Sequence, residues 1–175
     1  MNISLDCASF RSIGQPIPRK EDDRLVCGEG RFSDDFDSPG QVYASIVRSV
    51  YPHARIRDVG VETAKSMPGV LAVFTGSDCC EDGLGLVPHN PVPSTRTDLK
   101  LTALDGGDVF TGPHPLLPVD RVRHVGEPIA MVVATSRVEA VDAAEAVSVD
   151  YEPIEWVTDS LEATRADAPI IWNDL

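Results

Sequence analysis

The chain has 175 residues, of which 42% are apolar and 25% charged, enough for one hydrophobic core and too few for two full-sized domains. Its net charge of −13 repels phosphate backbones and anionic headgroups, and its basic residues form no cluster, which excludes nucleic acid as a partner. The excess acid reads as a solvated surface that keeps the protein in solution.

Residues 1–20 contain no charged start followed by an apolar stretch, so no secretory signal is expected and a cytoplasmic location follows. Pro16 and Pro18 flank Ile17 and block both helix and central strand, which predicts an extended arm. Residues 21–40 hold Gly28, Gly30, Asp34, Asp35 and Pro39-Gly40, a loop-rich stretch with one short strand expected. Residues 41–48 alternate as a strand, with Val42, Ala44 and Ile46 on one side and Tyr43, Ser45 and Val47 on the other.

Residues 55–61 alternate polar and apolar side chains, the pattern of a half-buried strand. A short helix over 62–67 follows and is stopped by Pro68-Gly69, and the apolar run 70–74 reads as a central strand. Strand, helix, strand in this order predicts a crossover unit with parallel strands. Residues 77–116, with Pro88, Pro91, Pro93, Pro113 and Pro115, are irregular, and a connection of that length is usually functional or disordered.

Strands are expected at 117–119 and 121–125, and then comes RHVGEPIAMVVATS, residues 123–136. Ile129 to Ala134 is apolar throughout, far too short for a membrane span, and reads as a strand covered on both faces. Ser136 to Glu139 is a capping box opening a helix over 136–147, with Val138, Val141, Ala144 and Val147 on one face as its nearest cover. Strands are expected again at 147–151 and 153–157. The fold class is α+β: a small mixed sheet with two crossover helices on one face and long Pro/Gly-rich loops.

Motifs for chemistry are absent. Residues 27–31, CGEGR, give a lone G-x-G with an acid between the glycines, no phosphate cradle. His53, His89, His114 and His124 have no spacing that sets metal ligands on one face, although His89 and His114 share the irregular segment. His124 reads as a structural hydrogen-bonding residue. Asp34, Asp35 and Asp37 lack the Gly and Glu of a calcium loop. Cys7, Cys27, Cys79 and Cys80 include no Cys-x-x-Cys and read as free thiols, with Cys79-Cys80 placed where a helix N-terminus could activate a thiol.

Six stretches, taken in order, carry a family resemblance: IGQPIPRKED (13–22), GEGRFSDD (28–35), ARI (54–56), MPGVLAVFTG (67–76), HVGEPIA (124–130) and VDYEP (149–153). Together they resemble the a/b hammerhead domain, the N-terminal part of the molybdenum-binding large subunit of the xanthine dehydrogenase, aldehyde oxidase and carbon monoxide dehydrogenase family. The resemblance covers roughly residues 12–157. It implies an arm at 1–20, the hammerhead at 21–160, and a tail at 161–175 leading toward the molybdopterin-binding domains that follow in the family.

The resemblance implies a molybdopterin cofactor in the complete subunit, with 2Fe-2S clusters and FAD on partner subunits, and oxidative hydroxylation of an aldehyde, purine or N-heterocycle, or oxidation of CO, by the whole complex. The family's cofactor loops and catalytic glutamate lie beyond the hammerhead, so no catalytic, cofactor-binding or metal residue carries over to this chain. It implies a structural and interface role, inactive alone, with Phe110 and His114 as walls of the substrate funnel. The alternative is a stand-alone protein-interaction or small-ligand-binding module on the same fold. A thiol enzyme using Cys79 or Cys80 is a third.

Overall fold

A computed structural model describes residues 14, 16–88, 102–103, 106–107 and 109–172. The chain divides into two units, residues 1–41 and 42–175.

In the first unit α1 spans Asp22–Val26 and a 3-10 turn spans Ser33–Asp35. Asp22 starts the helix by accepting the Arg19 backbone N–H and guanidinium, both at 2.8 Å. Asp35 accepts the Phe32 N–H at 2.8 Å, and Arg31 stacks 5.0 Å over the Phe36 ring. Local capping by aspartates favours turns over a strand. The short strand expected at 21–40 is absent among the described residues, and no side chain in either helix is buried.

In the second unit the strands are β1 (Tyr43–Arg48), β2 (Ala54–Gly60), β3 (Val70–Thr75), β4 (Arg121–Val122), β5 (Pro128–Ala134) and β6 (Ser148–Pro153). The helices are α2 (Glu62–Lys65), α3 (Gly76–Glu81) and α4 (Arg137–Glu145). The strands form two three-stranded sheets, β1-β5-β3 and β4-β2-β6.

Every pairing is antiparallel, which corrects the single mixed sheet and its parallel crossover. The α+β class stands, but β2 and β3 lie in different sheets. Only residues 61–69 join them, too few for a same-sheet parallel return, which takes about a dozen. Strands were also expected at 117–119 and 153–157, and the strand expected over 121–125 is present only at 121–122. Pro118 offers no N–H, Arg123–Glu127 is drawn into a turn, and Ile154 makes a single backbone bond to His53 O at 3.1 Å.

Both crossover helices pack on one face of the first sheet. The core there joins Val61, Ala64, Val73, Ala130, Val132, Ala143 and Val147. Fully burying a valine such as Val132 contributes about 1.5–3 kcal/mol. The expected helical face is half met: Val147 and Ala144 join the core, but Ala140 and Ala143 are buried where Val138, 68% exposed, and Val141 were expected. Alanines lie against the sheet because a small face lets helix and strands approach closely. The capping box holds, with Ser136 Oγ accepting the Glu139 N–H at 3.3 Å and donating to Glu139 Oε2 at 2.8 Å.

The second sheet packs Ala54 and Val122 against Ile129 of β5, a cluster flanked by Tyr51 and Tyr151 with ring centroids 5.1 Å apart. Two glycines of the 67–76 stretch have steric causes. Gly69 turns with φ +77, where an added Cβ would also strike the Glu139 carboxyl. Gly76, at the start of α3, lies so close to the backbone of Leu117 and Pro118 that a Cβ would come within 2.5 Å of the Pro118 carbonyl oxygen.

Candidate functional site

Register places the side chains that the core does not use. Ile46 pairs with Met131, and Met131 with Phe74, so these three form one cross-strand row. Ala130 and Val132 face the helices, so alternation sends Met131 to the opposite face. The row floors an apolar groove of about 410 Å³, closed on its sides by Leu84, Leu116, Leu117 and Pro128, with Asp78, Cys79 and Asp82 of the α3 segment at its edge. The strand expected to be covered on both faces therefore has one face under α4 and the other in this groove.

Helix α3 exists because Asp78 caps it. Its Oδ2 accepts the Thr75 N–H at 2.6 Å and the Thr75 hydroxyl at 2.7 Å. These bonds, the hydroxyl first, hold the Asp78 carboxyl below its ordinary range, so the groove edge keeps its negative charge. The Cys79 thiol is pushed up, first by burial and then by the neighbouring acids Asp78 and Asp82. That reverses the activation imagined for a thiol at a helix start: a raised pKa leaves less thiolate.

The turn after β4 is a second structured locus. Glu127 is 5% exposed, and a buried carboxylate requires donors. It accepts the Arg123 N–H, and His124 Nδ1 lies 3.7 Å from the same oxygen. Its backbone is laced to the β1–β2 loop by Ser49 N–H to Glu127 O at 2.9 Å and Gly126 N–H to Ser49 O at 2.8 Å. The His124 ring, 58% exposed, approaches Glu127 without reaching the hydrogen-bond distance expected of it. His53, fully buried, has Nδ1 2.9 Å from the Glu155 carbonyl.

Phe110 and His114 are held by different partners. Phe110, 60% exposed, meets the Trp172 ring edge-on at 6.2 Å, and Arg123 lies 4.1 Å over that same ring. His114 is exposed, and its carbonyl accepts the Val87 N–H at 2.8 Å, joining the two limbs of the 77–116 connection. A site shared by His89 and His114 lies outside the described residues, because His89 does. Asp35 and Asp37 are engaged by Phe32 N–H and Gln41 Nε2. Among the described residues no three His, Cys, Asp or Glu side chains converge as metal ligands, and no helix is long and apolar enough to cross a membrane.

The groove, the buried Glu127 and the Trp172 contacts were not found from the sequence. Gly-Glu-Pro ahead of a core strand was the signal for Glu127. For Trp172 there was none.

The chain matches the family described as aldehyde oxidase and xanthine dehydrogenase, a/b hammerhead domain, over residues 27–97 and 94–155. It is 38% identical over 147 residues to the nicotine 6-hydroxylase large subunit of Paenarthrobacter nicotinovorans, covering 84% of this chain and 16% of that one. To the carbon monoxide dehydrogenase large chain of Afipia carboxidovorans it is 36% identical over 166 residues, 95% of this chain and 18% of the relative. Among solved structures, quinoline 2-oxidoreductase from Pseudomonas putida 86 superposes with a TM-score of 0.67 at 35% identity over 90% of this chain and 18% of that chain. The chain spans less than a fifth of the length of each of these three proteins. Sequence and fold agree that it belongs to the a/b hammerhead domain family of aldehyde oxidase and xanthine dehydrogenase.

Proposed function

We propose that this chain is the scaffold and interface domain of a molybdenum hydroxylase large subunit, part of an enzyme and inactive alone. The whole complex would hydroxylate an aldehyde, a purine or an N-heterocycle, or oxidise CO, in the cytoplasm. A molybdopterin group in the rest of the large subunit would supply the redox chemistry, with 2Fe-2S and FAD on partner subunits.

The described residues of this chain do not fit that group. They bring no donor set together, and the 410 Å³ groove is apolar with aspartates at its edge, a poor match for a phosphate-bearing cofactor. No step is therefore routed through it. What the chain's own residues supply is a rigid two-sheet platform. Phe110 and His114 are proposed as walls of the substrate approach, Phe110 being exposed and braced by Trp172.

The observation that carries this reading is the family match at 27–97 and 94–155 in a chain spanning 16–18% of its relatives. The test is metal analysis and turnover of the purified chain, alone and co-expressed with a large-subunit polypeptide of this family. Association with a molybdenum-bearing partner, and no turnover by the chain alone, is expected. Stoichiometric molybdenum held tightly by these 175 residues would refute it. In the assembled enzyme, Phe110→Ala is expected to change KM more than kcat.

A further inference from the structure

Resting on the scaffold reading, we infer that the groove over Ile46, Met131 and Phe74 is the seat of one partner element: an apolar segment flanked by Lys or Arg, contributed by the large-subunit polypeptide outside these residues. Three observations lead to that occupant. The first is the asymmetry of the β1-β5-β3 sheet. Its inner face is sealed by α2 and α4, while its outer row opens into an apolar groove of about 410 Å³. Exposed Leu84 and Leu116 extend the apolar surface at its margin. A contiguous apolar patch of this kind on a soluble domain marks an interaction site.

The second observation is charge. Asp78 and Asp82 stand at the edge, and Asp78 stays ionised because Thr75 donates two hydrogen bonds to it. A second copy of this chain would bring the same aspartates and another −13 of net charge to the contact, and like charges placed together disfavour association. A basic-flanked element is complementary. The third is length: relatives at 38% and 36% identity are about five times as long, so polypeptide able to supply the element accompanies this domain in the family.

The test uses the full chain, tagged and co-expressed with the Paenarthrobacter nicotine 6-hydroxylase large subunit from which the matching 147-residue segment has been deleted. Wild-type chain is expected to capture this probe. Met131→Glu and Ile46→Glu place an unpaired charge in the groove and should lower capture about tenfold or more, with melting curves confirming that each variant is folded. Asp82→Lys should weaken capture and flatten its salt dependence. Val138→Glu, on the exposed side of α4, should leave capture unchanged.

Equal capture by all variants would overturn the assignment of this face while leaving the scaffold reading standing. Failure of the wild-type chain to capture the probe would overturn both. A dimer of the chain alone by light scattering, dispersed by Met131→Glu, would show that a second copy fills the groove and would overturn the proposal.

Discussion

Gly76→Ala tests how closely the groove walls are built. The new Cβ would lie 2.5 Å from the Pro118 carbonyl oxygen, 2.7 Å from its carbon and 2.8 Å from the Leu117 oxygen. All three obstacles are backbone, so no rotamer change relieves the clash. Pro118 is stiff and Leu117 is buried against the sheet. Overpacking of this kind costs about 1–3 kcal/mol, and alanine returns up to about 1 kcal/mol of helix propensity at the first position of α3. A net loss of about 1–2 kcal/mol lowers Tm by about 2–8 °C in a chain of this size. Gly85→Ala is the control, because a Cβ there meets nothing within 4 Å and restricting the unfolded chain stabilises by about 0.4–1 kcal/mol. Thermal melts of both variants at one pH decide the matter. A Gly76→Ala protein melting at or above Gly85→Ala would refute the close approach of α3 to residues 117–118.

Glu127→Ala should destabilise by about 1–3 kcal/mol, read as a lower urea midpoint at constant slope, since it strands the part-buried Arg123 N–H, and Glu127→Gln, which keeps an acceptor, should cost less. Acid should act through Asp78 and Glu139, whose carboxyls lie below their ordinary values of 3.8 and 4.5 because the Thr75 and Thr135 hydroxyls donate to them. Their folded-state pKa is depressed, so the stabilisation is complete above those ordinary values and is lost as pH falls through the lowered ones. Asp78→Asn combined with Glu139→Gln should flatten the loss of Tm below about pH 4.5, and an unchanged slope would contradict this. Iodoacetamide at pH 8 should modify exposed Cys80 before Cys79, whose thiol is half-buried and raised in pKa; mass spectrometry of the peptides reads the order.

Most elements were visible as local patterns. The alternation of 41–48 and 55–61, the Pro68-Gly69 stop and the Ser136–Glu139 box fall within a residue or two of β1, β2, the end of α2 and the start of α4. Partnership was less visible, because a strand carries no mark of which neighbour it joins. One clue to direction was present: residues 61–69 are too short a link for a parallel return in one sheet. Half of the α4 face, Ala144 and Val147, was read as it stands; the other half was misread because Val138 and Val141 outweigh Ala140 and Ala143 in any apolar count, although the alanines are the residues buried against the sheet.

The groove was illegible for a different reason. Its lining comes from β1, β3, the α3 segment, residues 116–117 and β5, and no window of sequence contains more than a few of these positions. Yet the run 129–134 held half of the argument. A strand apolar on both faces demands two covers, and α4 supplies one. In an isolated domain the row Ile46–Met131–Phe74 is a conflict between local pattern and fold, since a row left only half-buried gains little from large apolar side chains. The docking proposal removes the conflict, because it makes another part of a longer subunit the second cover. On that proposal the apolar character of Met131 and its two neighbours is set by what docks there, and replacing it with charge would separate folding, which α4 secures, from association, which the groove would secure.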